Sequence, residues 1–301
     1  MDNVYKSSDK VALYNRNQGF LKRFFPLDVR LRLKKLVLII KDPKPFFERK
    51  RLIRKSLRLQ KPSQSISTKG FSELYGKELP FYDEVFNYWV LQSKKLINDN
   101  MSNESDYSKN LLTSKEILMH KATRNFALSH EVLSIIGKYL GTAPSLHSVN
   151  LWWGRAGELG AGSPFFHLDS LDTSCIRMYL YLSDVGEGDG PFCVIPKKES
   201  LSFVRKTGYL GNSLSDETVF KEIPLSSLKI LTGIAGSIFA IDATNSLHYG
   251  SRCAEGDRVA MIFSYASYYN DDQTASLLES LPKISNPSTL QEMAYEHISV
   301  K

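Results

Sequence analysis

The sequence predicts an α+β fold in which a mainly β core, a sandwich or an open barrel, is flanked by helices. After Pro144 the chain consists of short β-branched and aromatic segments separated by Gly, Pro and Asp, which is typical of antiparallel strands. Before that residue, apolar side chains recur at helical spacing. With 301 residues and 42% apolar composition, the chain is long enough to bury a sizeable core.

Residues 1–62 are predicted to form a basic, helical N-terminal segment. They contain 18 Lys and Arg against 5 Asp and Glu, a net charge of +13, while the remainder of the chain carries −6. Basic and apolar residues are mixed throughout the segment. Three roles stay open: a helix pair packed on the domain or on a protein partner, a peripheral contact with an anionic membrane, and, least favoured, binding of nucleic acid.

Residues 63–143 are predicted to be a helical region that packs on the core. Polar stretches at 61–70 and 99–109 predict loops, and apolar periodicity predicts one helix over 80–100 and two over 114–140. The expected apolar face of the first helix consists of Phe81, Val85, Tyr88, Trp89 and Leu96. Ser129 is placed to cap the last helix and Gly141 to end it.

Residues 144–270 are predicted to be the β core. The expected strands are residues 148–153, 175–182, 192–195, 237–241 and 258–265. A long, mostly polar insertion at 197–235 interrupts them, and residues 271–301 form a polar C-terminal tail.

Two features of the sequence indicate the cellular compartment of the protein. Cys175, Cys193 and Cys253 are odd in number and include no C-x-x-C pair, so they are predicted to pack in the core of a protein kept under reducing conditions. The N-terminus lacks the apolar stretch of a secretory signal, and the apolar run at 36–40 is too short to cross a bilayer. The sequence therefore predicts a cytoplasmic protein.

The first candidate site residues are His167 and Asp169. On an extended strand, residues two apart project to the same face, so this His-x-Asp unit can direct an imidazole and a carboxylate at one metal ion. His248, after a strand and a polar turn, is the best candidate for a third ligand. Two His and one carboxylate form the facial triad of non-haem Fe(II) oxygenases, which leaves coordination positions open for 2-oxoglutarate and dioxygen.

Arg258 is the predicted anchor for the far carboxylate of 2-oxoglutarate. It lies ten residues after His248, at the start of an apolar strand. A buried guanidinium needs an anionic partner and can engage a carboxylate through two hydrogen bonds. Arg252 is a second candidate for this role or for a substrate contact.

Residues 130–270 resemble the phytanoyl-CoA dioxygenase-like branch of the Fe(II)/2-oxoglutarate oxygenases. The matching pieces are FHLD at 166–169, YLYLSDV at 179–185, GPFCVIP at 190–196, GSIFAID at 236–242, HYGSR at 248–252 and Arg258. Two positions depart from the family: Lys197–Ser200 replaces a Gly-Ser-His-like turn, and Ala260 stands where many relatives have a Ser that contacts 2-oxoglutarate. Candidates to replace that contact are Asn150, Tyr179 and Tyr181.

The resemblance implies a double-stranded β-helix (jelly-roll or cupin-like) core, with Fe(II), 2-oxoglutarate and dioxygen as cofactor and cosubstrates. It further implies a dioxygenase that hydroxylates a small organic or carrier-bound substrate and releases succinate and CO2. Asp169 favours hydroxylation over halogenation, because related halogenases lack this carboxylate. The residues do not indicate an oligomeric state.

Two other functions stay open. A cupin-like barrel of the same kind could bind metal or ligand without catalysis, and a docking protein could use the basic N-terminus.

The remaining histidines, His120, His130, His147 and His297, have no carboxylate at strand spacing and are predicted to be structural or exposed, while Asp172 and Asp184 are predicted turn residues. Adjacent Trp152 and Trp153 should face opposite sides of a strand, and the glycine-rich residues 154–162 should form a loop over the site.

Overall fold

A computed structural model describes residues 25–100, 108–157, 164–269, 281–282 and 284–295. The helices are α1 (Leu27–Lys41), α2 (Lys44–Leu59), α3 (Tyr82–Asn100), α4 (Ser114–Met119), α5 (Lys121–Ala127), α6 (His130–Leu140), α7 (Lys197–Thr207), α8 (Asp216–Phe220) and α9 (Thr289–Ala294). The strands are β1 (Phe71–Leu74), β2 (Ser108–Asn110), β3 (Ser145–Gly154), β4 (Ile176–Tyr181), β5 (Phe192–Val194), β6 (Lys229–Leu231), β7 (Ile238–Asp242), β8 (His248–Tyr249) and β9 (Arg258–Ala266).

The strands form two antiparallel sheets. The large sheet has the order β1-β7-β4-β9-β3-β2, and the small sheet has the order β6-β5-β8. The small sheet is extended at β8, because His167 pairs with His248 in an antiparallel bridge. Along the chain, β3, β4, β7 and β9 of the large sheet thus alternate with the His167 segment, β5–β6 and β8 of the small one. This alternation is that of a double-stranded β-helix, so the fold class predicted from the sequence is confirmed.

Apolar side chains form three clusters, one on each outer face and one between the sheets. The outer face of the large sheet packs against α3–α6, and the outer face of the small sheet packs against α1, α7 and α8. Between the sheets, Tyr179 and Tyr181 of β4 and Ala260 and Ile262 of β9 meet Phe192 of β5. The candidate site lies next to this interior cluster.

Sequence patterning located the longer strands and the helix ends well. All five predicted strands are present, Ser129 accepts a hydrogen bond from the Val132 amide, and Gly141 ends α6 in the left-handed conformation with φ of 69°. Trp153 packs against the helices and Trp152 against the interior cluster, so the two rings do face opposite sides. All three cysteines are buried and unpaired.

Other predicted elements differ from the structure. β1 and β2 lie in the region predicted to be helical, where they pair with β7 and β3 at the edges of the large sheet. Residues 114–140 form three helices rather than two, and the insertion at 197–235 contains β6. These strands are too short to show an alternating pattern, and their pairing partners are distant in sequence.

The predicted apolar face of α3 was wrong at two positions. Its buried side is formed by Tyr82, Val85 and Trp89, whereas Tyr88 is partly exposed. Phe81 is also partly exposed; it precedes the helix with a positive φ of 66°, so it does not continue the helical spacing.

The basic N-terminal segment is helical where it is described, in α1 and α2, and residues 1–24 lie outside the described residues. Most of the predicted C-terminal tail and His297 also lie outside them. No described helix is both long and apolar enough to cross a membrane.

Candidate metal centre

His167 and His248 face each other across an antiparallel bridge. The two residues exchange backbone hydrogen bonds, with N···O distances of 3.0 and 3.1 Å. Directly paired residues project to the same face of a sheet, and here the imidazole centroids lie 4.3 Å apart. The pairing of the small sheet therefore brings together two histidines that are 81 positions apart in the chain.

Asp169 completes this cluster. It lies two residues after His167, and its amide donates to the Ala243 carbonyl at 3.0 Å. One carboxylate oxygen, Oδ1, lies 3.9 Å from Nε2 of each imidazole. These separations are too long for direct hydrogen bonds but leave a space bordered by all three groups.

Arg177 holds the other carboxylate oxygen. Its Nε lies 2.5 Å from Asp169 Oδ2, so the guanidinium fixes the carboxylate and leaves Oδ1 directed at the imidazoles. The sequence analysis did not select Arg177. The signal was present, because Arg177 is a lone cation in the apolar strand β4, the same feature that indicated Arg258.

Both imidazoles are oriented from behind by backbone carbonyls. Nδ1 of His167 lies 2.8 Å from the Phe165 carbonyl oxygen, and Nδ1 of His248 lies 2.9 Å from that of Ser246. A carbonyl only accepts, so each Nδ1 must carry the proton and each Nε2 must present a lone pair. Such outer hydrogen bonds are typical of histidines that bind metals.

The charge states also suit a cation. Burial lowers the pKa of His167, and burial together with the neighbouring His167 lowers the pKa of His248 to about 3, so both rings are neutral near pH 7. Burial alone would raise the pKa of the Asp169 carboxyl, but Arg177 and then the two imidazoles hold it below its ordinary value. The cluster thus offers two neutral nitrogens and one negative oxygen.

The three donor atoms lie within 4.8 Å of one another, and they form the only group of at least three His, Cys, Asp or Glu with this property among the described residues. The structure therefore brings together the three ligands predicted from the sequence. Two imidazoles and a carboxylate on one side of an ion fit Fe(II) and leave further coordination positions open. The exposed fraction of the side chain is 27% for His167 but 3% for His248, so the cluster opens on the His167 side.

Arg258 is buried between the sheets, on the face of β9 that also carries Ala260 and Ile262. Its Nη1 donates to the Gly190 carbonyl and its Nη2 to Ser251 Oγ, both at 2.6 Å. Nε is buried without a hydrogen-bond partner, and no carboxylate among the described residues forms an ion pair with the guanidinium. A buried cation with neutral neighbours and an unused donor fits the far carboxylate of 2-oxoglutarate.

Tyr179 lies between the histidine cluster and Arg258. On the interior face of β4 it follows Arg177, which reaches Asp169, and precedes Tyr181, which is paired with Ala260. Burial raises the pKa of Tyr179, and the charges of Arg177, Asp169 and Arg258 all act on it.

The two tyrosines differ in how their hydroxyls are used. The Tyr181 hydroxyl donates to the Leu231 carbonyl and accepts from the Phe192 amide. The Tyr179 hydroxyl has no hydrogen bond to a described residue. Asn150, the third candidate, contacts Asn110 and Ser148. Of the three candidates, Tyr179 is therefore the one whose polar group has no hydrogen-bond partner among the described residues.

The guanidinium of Arg252 is already engaged by other residues of the chain. Its two Nη atoms contact the two carboxylate oxygens of Asp216 at 2.8 and 2.6 Å, and its guanidinium lies 3.5 Å from the centroid of the Tyr249 ring. Nε donates to the Pro164 carbonyl. This side chain fastens α8 to the small sheet.

The remaining predicted residues lie apart from the cluster. Asp172 is buried and pairs with Lys35 of α1 at 2.9 Å, while Asp184 accepts from the Ala235 amide. His120 stacks on Tyr88, and His130 contacts Ser56. The glycine-rich loop at 154–162 lies outside the described residues after Gly157.

No protein-family model matches the chain, and no curated protein matches it by sequence. Among solved structures, it is similar to HygX from Streptomyces hygroscopicus with nickel and 2-oxoglutarate bound, with 17% identity, a TM-score of 0.44, and coverage of 66% of this chain and 83% of that one. It is also similar to EctD from S. alaskensis with bound Fe, with 16% identity, a TM-score of 0.44, and coverage of 68% and 75%.

A third similar structure is SnoN, a non-haem α-ketoglutarate-dependent epimerase from nogalamycin biosynthesis. It shares 14% identity with a TM-score of 0.46, and the match covers 73% of this chain and 88% of that chain. All three likenesses are loose. The strand order and the side chains of this chain identify its fold and its candidate site.

Proposed function

We propose that this protein is an Fe(II)- and 2-oxoglutarate-dependent dioxygenase. The observation that carries the proposal is the pairing of two features in one barrel. A His-Asp-His cluster opens to one side, and a buried guanidinium without a carboxylate partner among the described residues lies on the interior face of β9 in the facing sheet. The first feature suits the metal, and the second suits the free end of a dicarboxylate.

His167, Asp169 and His248 would hold the iron through Nε2, Oδ1 and Nε2. When bound, iron and 2-oxoglutarate together supply the activation of dioxygen, with release of succinate and CO2 and oxidation of a substrate C–H bond. The Phe165 and Ser246 carbonyls keep the imidazole lone pairs directed at the ion. Arg177 would act as a positioning residue that keeps Asp169 bound through one oxygen only.

Arg258 would bind the far carboxylate of 2-oxoglutarate, held in place by Gly190 and Ser251. Tyr179 would donate a hydrogen bond to the cosubstrate and so replace the contact that Ala260 cannot make. Phe192 stacks on His248 and packs against Tyr179, with centroid distances of 5.1 and 4.5 Å. These apolar rings would exclude water from the space between the three metal-ligand candidates and Arg258.

The proposed reaction is hydroxylation of a small organic or carrier-bound substrate, which would approach from the exposed side of His167. The Asp169 carboxylate would be a ligand where related halogenases lack one and take a halide, so halogenation is not expected. Membership of the phytanoyl-CoA dioxygenase-like branch, the four-region division of the chain and a cytoplasmic location belong to the same proposal. They rest on the sequence motifs and on patterning.

The test is the conversion of 2-oxoglutarate to succinate by full-length protein loaded with Fe(II) in air. We expect slow succinate formation without added substrate, and loss of it in His248→Ala. His130→Asn is the matched control, because His130 lies away from the cluster and should leave turnover unchanged. Folded, iron-loaded protein that forms no more succinate than His248→Ala would contradict the proposal and favour a non-catalytic, cupin-like binding barrel.

A further inference from the structure

Helix α1 is apolar on two opposite sides. Its inner side buries Leu27, Leu31 and Leu38, and Leu27 and Leu31 pack in the cluster behind the small sheet. Its outer side exposes five aliphatic residues: Val29 (36%), Leu33 (52%), Leu36 (52%), Val37 (51%) and Ile40 (70%). At 3.6 residues per turn, these five fall within an arc of about 100°, opposite the buried residues.

This outer stripe differs from ordinary surface hydrophobicity. Single exposed aliphatic residues are common, but a continuous apolar face along a whole helix marks an interaction surface. A helix in a water-soluble domain normally needs only one apolar side, which faces the core, so a second apolar side points to a second contact. Among the described residues, none buries the outer stripe of α1, whose side chains keep 36–70% of their surface exposed.

Helix α2 follows directly and is strongly cationic on its exposed side. A shallow surface groove of about 500 Å³ there is lined by Phe46, Phe47, Lys50, Arg51, Arg54, Lys55 and Arg58. Arg51, Arg54, Lys55 and Arg58 form no ion pair with a described carboxylate. Phe47 stands among them with 65% of its surface exposed.

We propose that α1 and α2 form a peripheral anchor for an anionic lipid bilayer. The outer stripe of α1 would insert among the acyl chains near the headgroups, and the α2 cations would bind lipid phosphates. Exposed aliphatic residues on α1 and Lys and Arg without a described carboxylate partner on α2, the next helix along the chain, match the two parts of such a surface. A second copy of the chain would bring the same cations together and repel them, and nucleic acid would leave the aliphatic stripe uncovered.

The anchor is fastened directly to the catalytic barrel. The Leu27 amide donates to the Tyr209 carbonyl at 3.0 Å, and the Tyr209 hydroxyl accepts from the Leu168 amide, inside the His-x-Asp segment. Lys35 pairs with the buried Asp172 three residues after Asp169. Docking of α1 would therefore hold the barrel against the membrane surface.

The experiment is sedimentation of full-length protein with vesicles of phosphatidylcholine alone or phosphatidylcholine mixed with phosphatidylglycerol. We expect binding to the anionic vesicles only, weakened by salt. Leu36→Asp/Ile40→Asp and Arg54→Glu/Arg58→Glu should each lower the partition coefficient by at least about tenfold. Neither pair touches the metal cluster, so iron binding serves as the check that the variants fold.

Matched controls come from α3. Leu91→Asp changes an equally exposed leucine (68%), and Lys94→Glu/Lys95→Glu reverses two exposed charges on the same helix. Both should bind vesicles as the wild type does. Wild-type protein that ignores anionic vesicles, binds equally to neutral ones, or loses as much binding in the α3 variants would overturn the proposal. So would a dimer that dissociates in Leu36→Asp/Ile40→Asp without any vesicle binding.

Discussion

The turn after β8 and the first residue of β9 each place an arginine near the small sheet, six positions apart, and the two are used in opposite ways. Arg252 meets a carboxylate through both Nη atoms, donates through Nε and covers the Tyr249 ring. Arg258 is more deeply buried, yet meets only a carbonyl and a hydroxyl and leaves Nε unused.

This difference indicates how an arginine with a structural role can be distinguished from an arginine that binds a ligand. A buried guanidinium is tolerated when an anion compensates for lost hydration. Arg252 has that anion within the chain, so its role is complete without a ligand. Arg258 has no such anion among the described residues, and the proposed function would supply one as the far carboxylate of 2-oxoglutarate.

The largest expected effect is on cosubstrate binding in Arg258→Ala. Removing the guanidinium should weaken 2-oxoglutarate binding by about 100-fold or more, because about 3 kcal/mol of charged hydrogen bonding is lost. The free energy of unfolding should change little or rise, since an unpaired buried charge is removed. Isothermal titration of the iron-loaded protein and denaturant unfolding measure the two quantities. Unchanged affinity would remove Arg258 from the site.

Arg252→Ala should show the reverse pattern. It leaves the buried Asp216 without its partner, and we expect the free energy of unfolding to fall by about 2–3 kcal/mol. Affinity for 2-oxoglutarate should stay within about threefold of wild type in the folded fraction. If Arg252→Ala lost the cosubstrate as strongly as Arg258→Ala does, the comparison between the two arginines would fail.

Arg177→Met extends the comparison to a third arginine, which pairs with a proposed metal ligand. With Asp169 no longer fixed, Fe(II) affinity should fall by about 10- to 100-fold. Arg177→Lys should recover part of the loss by restoring the positive charge beside Oδ2. Competition against a metal-binding dye measures both. Equal affinity in wild type and Arg177→Met would show that Asp169 is positioned without its help.

The smallest effect is expected for Tyr179→Phe. Loss of one hydroxyl should weaken 2-oxoglutarate binding by about 5-fold, corresponding to about 1 kcal/mol for one hydrogen bond. Tyr181→Phe is the matched control, because its hydroxyl is already bonded to the backbone and should affect stability rather than affinity. Titration of both variants with 2-oxoglutarate separates them. A larger affinity loss in Tyr181→Phe would reverse their assigned roles.

Sequence reasoning worked where a relationship is local or chemically costly. The His-x-Asp spacing places two side chains on one face of a strand, and an arginine opening an apolar strand requires a partner. The five longer strands carry enough β-branched and aromatic residues to be seen. Ser129 and Gly141 mark the ends of α6 by the chemistry of their own side chains and backbone.

The features that the sequence did not predict depend on contacts between distant parts of the chain. β8 has two residues and β6 three, too few for a pattern, although β8 carries His248. Arg177 lies on β4 of the large sheet, and Asp169 follows the His167 segment of the small sheet. Their pairing therefore depends on how the two sheets face each other. Arg258 was already the predicted anchor, but the ion pair that occupies Arg252, the second candidate, depends on Asp216, which belongs to a helix within the predicted polar insertion.

The central claim is that the histidine cluster and Arg258 together form one site for Fe(II) and 2-oxoglutarate. The most direct measurement is anaerobic titration of the metal-free protein with both, following the visible metal-to-ligand charge-transfer band. We predict a band that needs both components, is abolished in His167→Ala, is weakened in Arg258→Ala and persists in Arg252→Ala. Folded, iron-loaded wild-type protein that shows no band at saturating 2-oxoglutarate would contradict the claim.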